Sequence, residues 1–388
     1  MIPYSRQDIT DDDISEVVKI LQSDFLTQGP TVPNFEKLVA DYCGAKYAVA
    51  VNSATSALHI ACLALDLGPG DLLWTTPNTF VASANCGLYC GADIDFVDID
   101  LNTYNMSIDA LSEKLIKAEK LGKLPKVLIP VHFAGQPCDM PAIYNLSKRY
   151  GFKVIEDASH AIGSTYNKIK VGSCNHSDIT IFSFHPVKII TTAEGGMAVT
   201  NNKDVADKIF RLRTHGITND KKLMKERPDH EIWNYQQIEL GFNYRMNDIQ
   251  AALGINQMKR LDDYIKSRHR IAKIYDRELN LTSIIKPFQS PRNYSSFHLY
   301  PIRVKKNTKG PIQKKIYDIL HKNKIAANLH YIPVHRHPYY ENLGFKKNDF
   351  PHSEKFHQEA ISLPIFAKLS NDQQNIVIEN LISAFQNI

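Results

Sequence analysis

Lys188 is the residue whose neighbours point most directly to chemistry. It ends the run Ser183-Phe184-His185-Pro186-Val187-Lys188 and precedes Thr191-Thr192-Ala193-Glu194-Gly195-Gly196, between two segments that read as strands. Most lysines sit on wet surfaces. The flanks of Lys188 are apolar or hydroxylic, so its charge is costly unless it is partnered or lost. A lysine amine in a tight turn, with a hydroxyl before it and a double glycine after it, suits condensation with an aldehyde. Pyridoxal phosphate (PLP) is such an aldehyde, and its ring then works as an electron sink.

Three more turns, each following an apolar strand-like run, carry residue types that this cofactor needs. After Lys153-Val154-Ile155 come Glu156-Asp157-Ala158-Ser159-His160. A strand-end acid such as Asp157 can keep a pyridine nitrogen protonated, or it can simply cap the next turn. His160 serves the same site or is a satisfied structural histidine. After Val49-Ala50-Val51 come Asn52-Ser53-Ala54-Thr55-Ser56. Small residues there leave backbone N–H groups open at a helix N-terminus, which suits a phosphate or a plain N-cap. The Ser183 hydroxyl can add to the same phosphate. After Leu73-Trp74-Thr75-Thr76 comes Pro77-Asn78-Thr79-Phe80. Phe80 can stack on a flat ring or fill the core.

These turns need a scaffold. The periodicity predicts a first helix with Ile14, Val17, Val18 and Leu21 on one face, and a second over 32–42 with Val32, Phe35, Leu38 and Val39 buried. Strands are expected at 47–51, 72–75, 94–97, 127–131, 153–155, 179–182 and 197–200, with helices over 57–65 and 81–89. Short apolar strands separated by helices predict an α/β protein with a mostly parallel sheet covered on both faces. Beyond residue 255 the texture changes: a long charged helix from Gln257 to about Glu278, then 300–304, a helix over 312–321, 326–330 and a final helix from Asp372. The division expected is 1–255 for a large cofactor-binding domain with an N-terminal helical segment, and 256–388 for a smaller α+β domain. The polar stretch Thr218–Gln237 reads as a long loop that moves or contacts a second subunit.

Composition narrows the class. The chain has 388 residues, 43% hydrophobic and 22% charged, with a net charge of +5, as for an ordinary soluble enzyme. Its basic residues are scattered, which argues against nucleic-acid binding. No apolar stretch approaches the ~18 residues that span a bilayer. The opening Met1-Ile2-Pro3-Tyr4 soon turns acidic, unlike a signal peptide. Six cysteines form no CxxC pair and read as buried thiols of a cytoplasmic protein. His330, His335 and His337 crowd around Tyr331-Ile332-Pro333, but the two prolines Pro333 and Pro338 oppose a helix that would align them, so no metal site is expected.

Together these residues resemble the DegT-type sugar aminotransferases, PLP enzymes with the aspartate-aminotransferase fold (fold type I). The likeness runs through Leu26-Thr27-Gln28-Gly29, Asn52 to Leu58, Glu156 to Ala161, Ser183 to Gly196 and Gly241-Phe242-Asn243-Tyr244-Arg245-Met246-Asn247. It implies a three-layer large domain and a smaller α+β domain. It also implies that Lys188 binds the cofactor and shuttles protons, that Asp157 pairs with the ring nitrogen, and that His160 lies near the ring hydroxyl. Ala54, Thr55 and Ser183 would hold the phosphate, Asn243 would reach over from a second subunit, and Phe80 would stack on the ring. Tyr4, the turn Asp24-Phe25-Leu26-Thr27, His185 and the run Leu329-His330-Tyr331-Ile332 would line a nucleotide-sugar site. The segment before Asn243 is longer than the family pattern, which leaves its contact with substrate open.

Phe182 to His185, Ile190 to Gly196 and Leu329 to Tyr331 are similar to the family branch that serves pseudaminic acid biosynthesis. The implied reaction moves an amino group from L-glutamate to C4 of a UDP-linked 4-keto-6-deoxy-HexNAc, in a cytoplasmic homodimer. Three other readings stand beside it: amination of another UDP-, dTDP- or GDP-linked keto sugar, PLP-dependent sugar dehydration, and a non-catalytic binding protein on the same fold. Dehydratase relatives carry histidine in place of the lysine, so Lys188 counts against the second.

Overall fold

The computed structural model describes residues 1–228, 230–305 and 312–386. A short strand β1 (Ile2–Pro3) leads to helices α1 (Asp11–Leu21) and α2 (Thr31–Cys43). An alternation follows: β2 (Tyr47–Val51), α3 (Ala54–Ala64), β3 (Leu72–Thr75), α4 (Ala82–Tyr89), β4 (Asp93–Phe96), α5 (Ile108–Leu121), β5 (Val127–Ile129), α6 (Met140–Tyr150) and β6 (Lys153–Asp157). Two short strands, β7 (Thr165–Tyr166) and β8 (Ile169–Lys170), precede β9 (Ile179–Ser183), β10 (Gly196–Thr200) and α7 (Lys203–Arg213). Next come β11 (Ile217–Thr218), β12 (Gln236–Gln237), α8 (Asp248–Met258), α9 (Leu261–Glu278), β13 (Ile284–Ile285), β14 (Asn293–Tyr294) and β15 (Tyr300–Val304). The chain closes with α10 (Gln313–Lys322), β16 (Ile325–Ala326), α11 (Pro338–Glu341), α12 (Pro351–Glu359), β17 (Ala360–Leu363) and α13 (Asn371–Gln386).

The central sheet has the order β2-β10-β9-β6-β5-β3-β4. Only β10 runs against its neighbours; β3, β4, β5, β6 and β9 pair in parallel. Alternate residues of one strand serve opposite cores. In β2, Val49 and Val51 pack with α3, while Ala50 packs with α2 and α8 residues. In β9, Ile179 and Ile181 face the first core and Phe182 the second. Burial on both faces is what makes these strands read as largely apolar runs, with the buried Thr180 the polar exception inside β9. A second sheet, β13-β15-β17, is antiparallel and shares a core with α9, α10 and α13.

Several sequence expectations are revised. The helix expected from Gln257 to Glu278 is broken at Lys259–Arg260, and Gln257 belongs to α8. Arg260 leaves helical geometry (φ −110°, ψ 2°) and donates to Asp13 Oδ2 at 2.6 Å. The expected element at 326–330 is only the pair Ile325–Ala326, which joins β1 in parallel. The apolar face of α1 does not turn inward: Ile14, Val18 and Leu21 are exposed, and the buried anchor is Asp13, held by Asn256, Gln257 and Arg260. Helices α5, α6, α7, α11 and α12, and α8 before Gln257, lie outside the elements expected from the sequence.

Candidate active site

The site forms where the carboxyl ends of the parallel strands meet the start of β10. Gly196 pairs with Val51 on one side and with Ser183 on the other. The Asn52–Ser53–Ala54 turn and Ser183 are thereby brought to the two sides of one residue. A Cβ at Gly196 would stand 2.4 Å from Ala54 N, so only glycine allows the turn this close. Ser53 caps α3, its Oγ accepting from Ser56 N at 3.1 Å. The N–H groups of Ala54 and Thr55 in the first turn have no intrahelical partner, and with the Ser183 hydroxyl they suit an anion.

The Lys188 loop is pinned at both ends. Phe184 N donates to Gly195 O at 2.9 Å, and Thr192 N and Thr191 Oγ1 both donate to Phe184 O at 3.0 Å. Lys188 N closes its own turn onto His185 O, and Ser5 Oγ straps the loop through Val187 O, both at 2.8 Å. Lys188 keeps part of its surface open. Burial of its ammonium still pulls the pKa down to about 8, while the Asp157 carboxylate opposes the shift.

Asp157 ends β6 and is buried. Its Oδ2 accepts from Ser83 Oγ at 2.6 Å and its Oδ1 from Ser159 N at 3.1 Å. The preceding Glu156 points to the opposite face of the sheet, where it meets His132 Nε2 (2.6 Å) and Thr180 Oγ1 (3.1 Å).

The wall over the lysine is aromatic. Buried His160 accepts from Ala134 N at 3.3 Å through Nδ1, and its Nε2 lies 3.2 Å from Tyr331 Oη. Burial and the nearby Lys188 and His330 charges hold His160 well below the usual histidine range, so its ring is neutral. The same causes, burial and then Lys188, bring His330 down to about 3. His330 Nδ1 lies 2.9 Å from Ser362 Oγ, and the Tyr4 ring meets His330 edge-on at 5.3 Å. Phe80 is exposed, with its ring 6.4 Å from that of Tyr331. Val334 N donates to Pro77 O at 2.9 Å, tying the Leu329–Ile332 run to the Phe80 turn. Ile332 and His185 are exposed and Leu329 half-buried.

Other expected residues lie elsewhere on the surface. Asp24, Phe25, Leu26 and Thr27 are exposed, and Asp248 holds the turn by accepting from Gly29 N (2.7 Å), Thr31 N (2.9 Å) and Val32 N (3.0 Å). Asn243 is exposed beside Tyr244, whose carbonyl accepts from Asn52 N at 2.8 Å. Sequence reasoning missed Ser83 and His298. The His298 ring lies 4.3 Å from His160, and its Nδ1 is buried without a partner. Their only sequence signal is a polar residue inside an apolar run, Val81-Ala82-Ser83-Ala84 and Phe297-His298-Leu299. The three clustered histidines diverge: His335 pairs with Glu354 at 3.0 Å, while the His337 carbonyl accepts from Tyr340 N. Among the described residues no group of three or more His, Cys, Asp or Glu is placed to hold a metal.

An enclosed amine, a buried strand-end carboxylate and a glycine-pinched helix N-terminus fit PLP. The family model of the DegT/DnrJ/EryC1/StrS aminotransferases matches residues 7–382. The chain belongs to this family. The aminotransferase is 39% identical to the spore coat polysaccharide biosynthesis protein SpsC of Bacillus subtilis, over 97% of this chain and 95% of that protein. It is 37% identical to the UDP-4-amino-4,6-dideoxy-N-acetyl-β-L-altrosamine transaminase of Campylobacter jejuni, over 100% and 98%. Its fold superposes on Helicobacter pylori PseC, an aminotransferase of pseudaminic acid biosynthesis, with a TM-score of 0.89 and 32% identity over 100% of both chains. The aminotransferase is thus a PLP-dependent enzyme of the sugar-modifying type.

Proposed function

We propose that this enzyme transfers an amino group from L-glutamate to C4 of UDP-2-acetamido-2,6-dideoxy-β-L-arabino-hex-4-ulose. The product is UDP-4-amino-4,6-dideoxy-N-acetyl-β-L-altrosamine, a step in pseudaminic acid biosynthesis. One observation carries this reading: the likeness to the Campylobacter transaminase spans the whole chain. Bound PLP supplies an aldehyde that condenses with amines and a ring that takes up electrons from a carbanion. Ala54, Thr55 and Ser183 would hold its phosphate, Asp157 its ring nitrogen and Lys188 its aldehyde carbon. Phe80 would stack on the ring, and His160, neutral and fixed against Tyr331, would meet the ring hydroxyl.

Lys188 takes a proton from Cα of glutamate and later delivers one to C4 of the sugar. Its pKa near 8 suits both tasks, because an amine matched to the working pH gives and takes protons with similar ease. Tyr4, His185, the 24–27 turn and the 329–332 run line the nucleotide-sugar channel and exclude water. The enzyme works as a cytoplasmic homodimer, with Asn243 of the partner subunit completing the phosphate site. The outward apolar face of α1 supports that assembly.

The test is product analysis by NMR after incubation with glutamate and a panel of UDP-, dTDP- and GDP-linked keto sugars. Amination of the named UDP sugar at C4, with ping-pong kinetics, is expected. The similarity to SpsC favours a second reading, amination of another nucleotide-linked keto sugar, and preferential turnover of such a sugar would establish it. Lys188→Ala is expected to lose turnover altogether.

A further inference from the structure

We infer that Thr79 and Ser83 are positioning residues for Asp157, forming a two-hydroxyl relay that holds the shared proton on the ring nitrogen of the cofactor. The inference rests on the PLP reading above and deepens it. Ser83 Oγ lies 2.6 Å from Asp157 Oδ2, and Thr79 Oγ1 lies 2.8 Å from Ser83 Oγ. The first distance is that of a charge-assisted O–H···O⁻ bond. Thr79 is 2% exposed, Ser83 0% and Asp157 5%, so water does not readily replace either hydroxyl.

The direction of the relay follows from proton counting. A carboxylate carries no proton, so Ser83 must donate to it. Ser83 has then spent its only proton, and Thr79 must donate to Ser83. The fold enforces the arrangement from both sides. Asp157 is fixed by β6 pairing and by Ser159 N on its other oxygen. Thr79 and Ser83 sit four residues apart where the chain enters α4, just beyond the end of β3. The turn that presents Phe80 to the site therefore also delivers both hydroxyls to the pyridine acid.

The consequence concerns where a proton resides. A carboxylate that loses a donor becomes a stronger base and draws the proton of its hydrogen-bonded pyridine toward itself. Without the relay, the ring keeps its place but loses positive charge, and with it much of its capacity to accept electrons. Ser83 and Thr79 need not touch substrate or cofactor to set that capacity.

The holoenzyme carrying PLP labelled with ¹⁵N at the ring nitrogen tests this by NMR. Wild type is expected to show a protonated nitrogen and Asp157→Asn a deprotonated one. Ser83→Ala is expected to move the signal toward the deprotonated position and to lower kcat about 10- to 100-fold, the loss of one hydrogen bond to a charged group, with the KM for glutamate little changed. Thr79→Val should shift the signal the same way by less, and Ser83→Thr, which keeps the hydroxyl, should retain the wild-type signal. If Ser83→Ala does not fold, Thr79→Val decides alone. Wild-type signals and kcat in both Ser83→Ala and Thr79→Val would overturn the relay. A wild-type protein that takes up no PLP through Lys188 would instead overturn the cofactor reading, and the relay with it.

Discussion

At the scale of the residue, the chemistry depends on how few charges the site tolerates. Burial pushes Lys188, His160 and His330 toward their neutral forms, with the Lys188 charge adding to the effect on both histidines and the Asp157 carboxylate opposing it on Lys188. Only a neutral amine attacks an aldehyde. The rate at which apoprotein recombines with PLP should therefore rise with pH and level off above about 8, whereas an ordinary lysine would level off near ~10.4. Stopped-flow absorbance across pH 6–10 checks this, and a profile still climbing steadily at the upper end would contradict an enclosed lysine. The same shift acts on stability. The folded pKa lies below the unfolded one, so the unfolded chain binds more protons between them. Stability rises with pH through that window, and below about pH 8 the charged amine is a full cost to the fold. Lys188→Met apoprotein should accordingly melt above wild-type apoprotein at pH 7, with the gap closing as pH approaches 10. Calorimetry reads that difference directly.

At the scale of the element, the site depends on close approaches that single atoms defend. Gly196 lets β10 pass within contact of the α3 N-terminus. Gly196→Ala is expected to cost roughly 1–3 kcal/mol through overpacking. It should weaken PLP binding more than it lowers the melting temperature, since the clash falls on the phosphate turn. Equilibrium dialysis with PLP beside a thermal melt separates the two effects. Asp248 works at longer range, since its carboxylate satisfies three N–H groups around the start of α2. Asp248→Ala leaves those donors unpaired, at about 1–3 kcal/mol for each that stays buried. The turn carrying Asp24–Thr27 should loosen with it, and the KM for the nucleotide sugar should rise while the glutamate half-reaction is spared. Equal losses in both half-reactions would place that turn outside the sugar site.

At the scale of the whole molecule, one chain leaves apolar surface without a partner. Ile14 (54% exposed), Val18 (41%) and Leu21 (55%) form an outward stripe on α1, and Phe25 and Leu26 continue it beyond the helix. Apolar patches of that kind mark contact surfaces. A Val18→Arg/Leu21→Arg variant should run as a monomer in light scattering and lose activity, because the proposed site takes Asn243 from the partner subunit. A monomer with full activity would refute the shared site. The 218–237 stretch bears Ile232 (93% exposed) and Trp233, and its ends close as the β11–β12 hairpin.

Much of this protein is legible along the chain. The largely apolar runs 47–51, 72–75 and 179–182 locate strands to within a residue, because burial on both faces admits few polar residues and those only with partners, as Thr180 has in Glu156. The types and order of Ala54, Thr55, Asp157, Ser183 and Lys188, each at or just beyond a strand end, point to PLP chemistry, and membership of the aminotransferase family agrees with that cofactor. The tertiary structure alone decided which strands are neighbours. Antiparallel β10 sits between β2 and β9, and so gathers the phosphate turn and Ser183 around Gly196. It also decided which way α1 faces, because a stripe's period marks an apolar face but not whether the chain's own core receives it. Tertiary structure alone brought His298 beside His160 and Ser83 onto Asp157. A lone imidazole or hydroxyl leaves no periodic trace; its role is fixed by atoms distant in sequence.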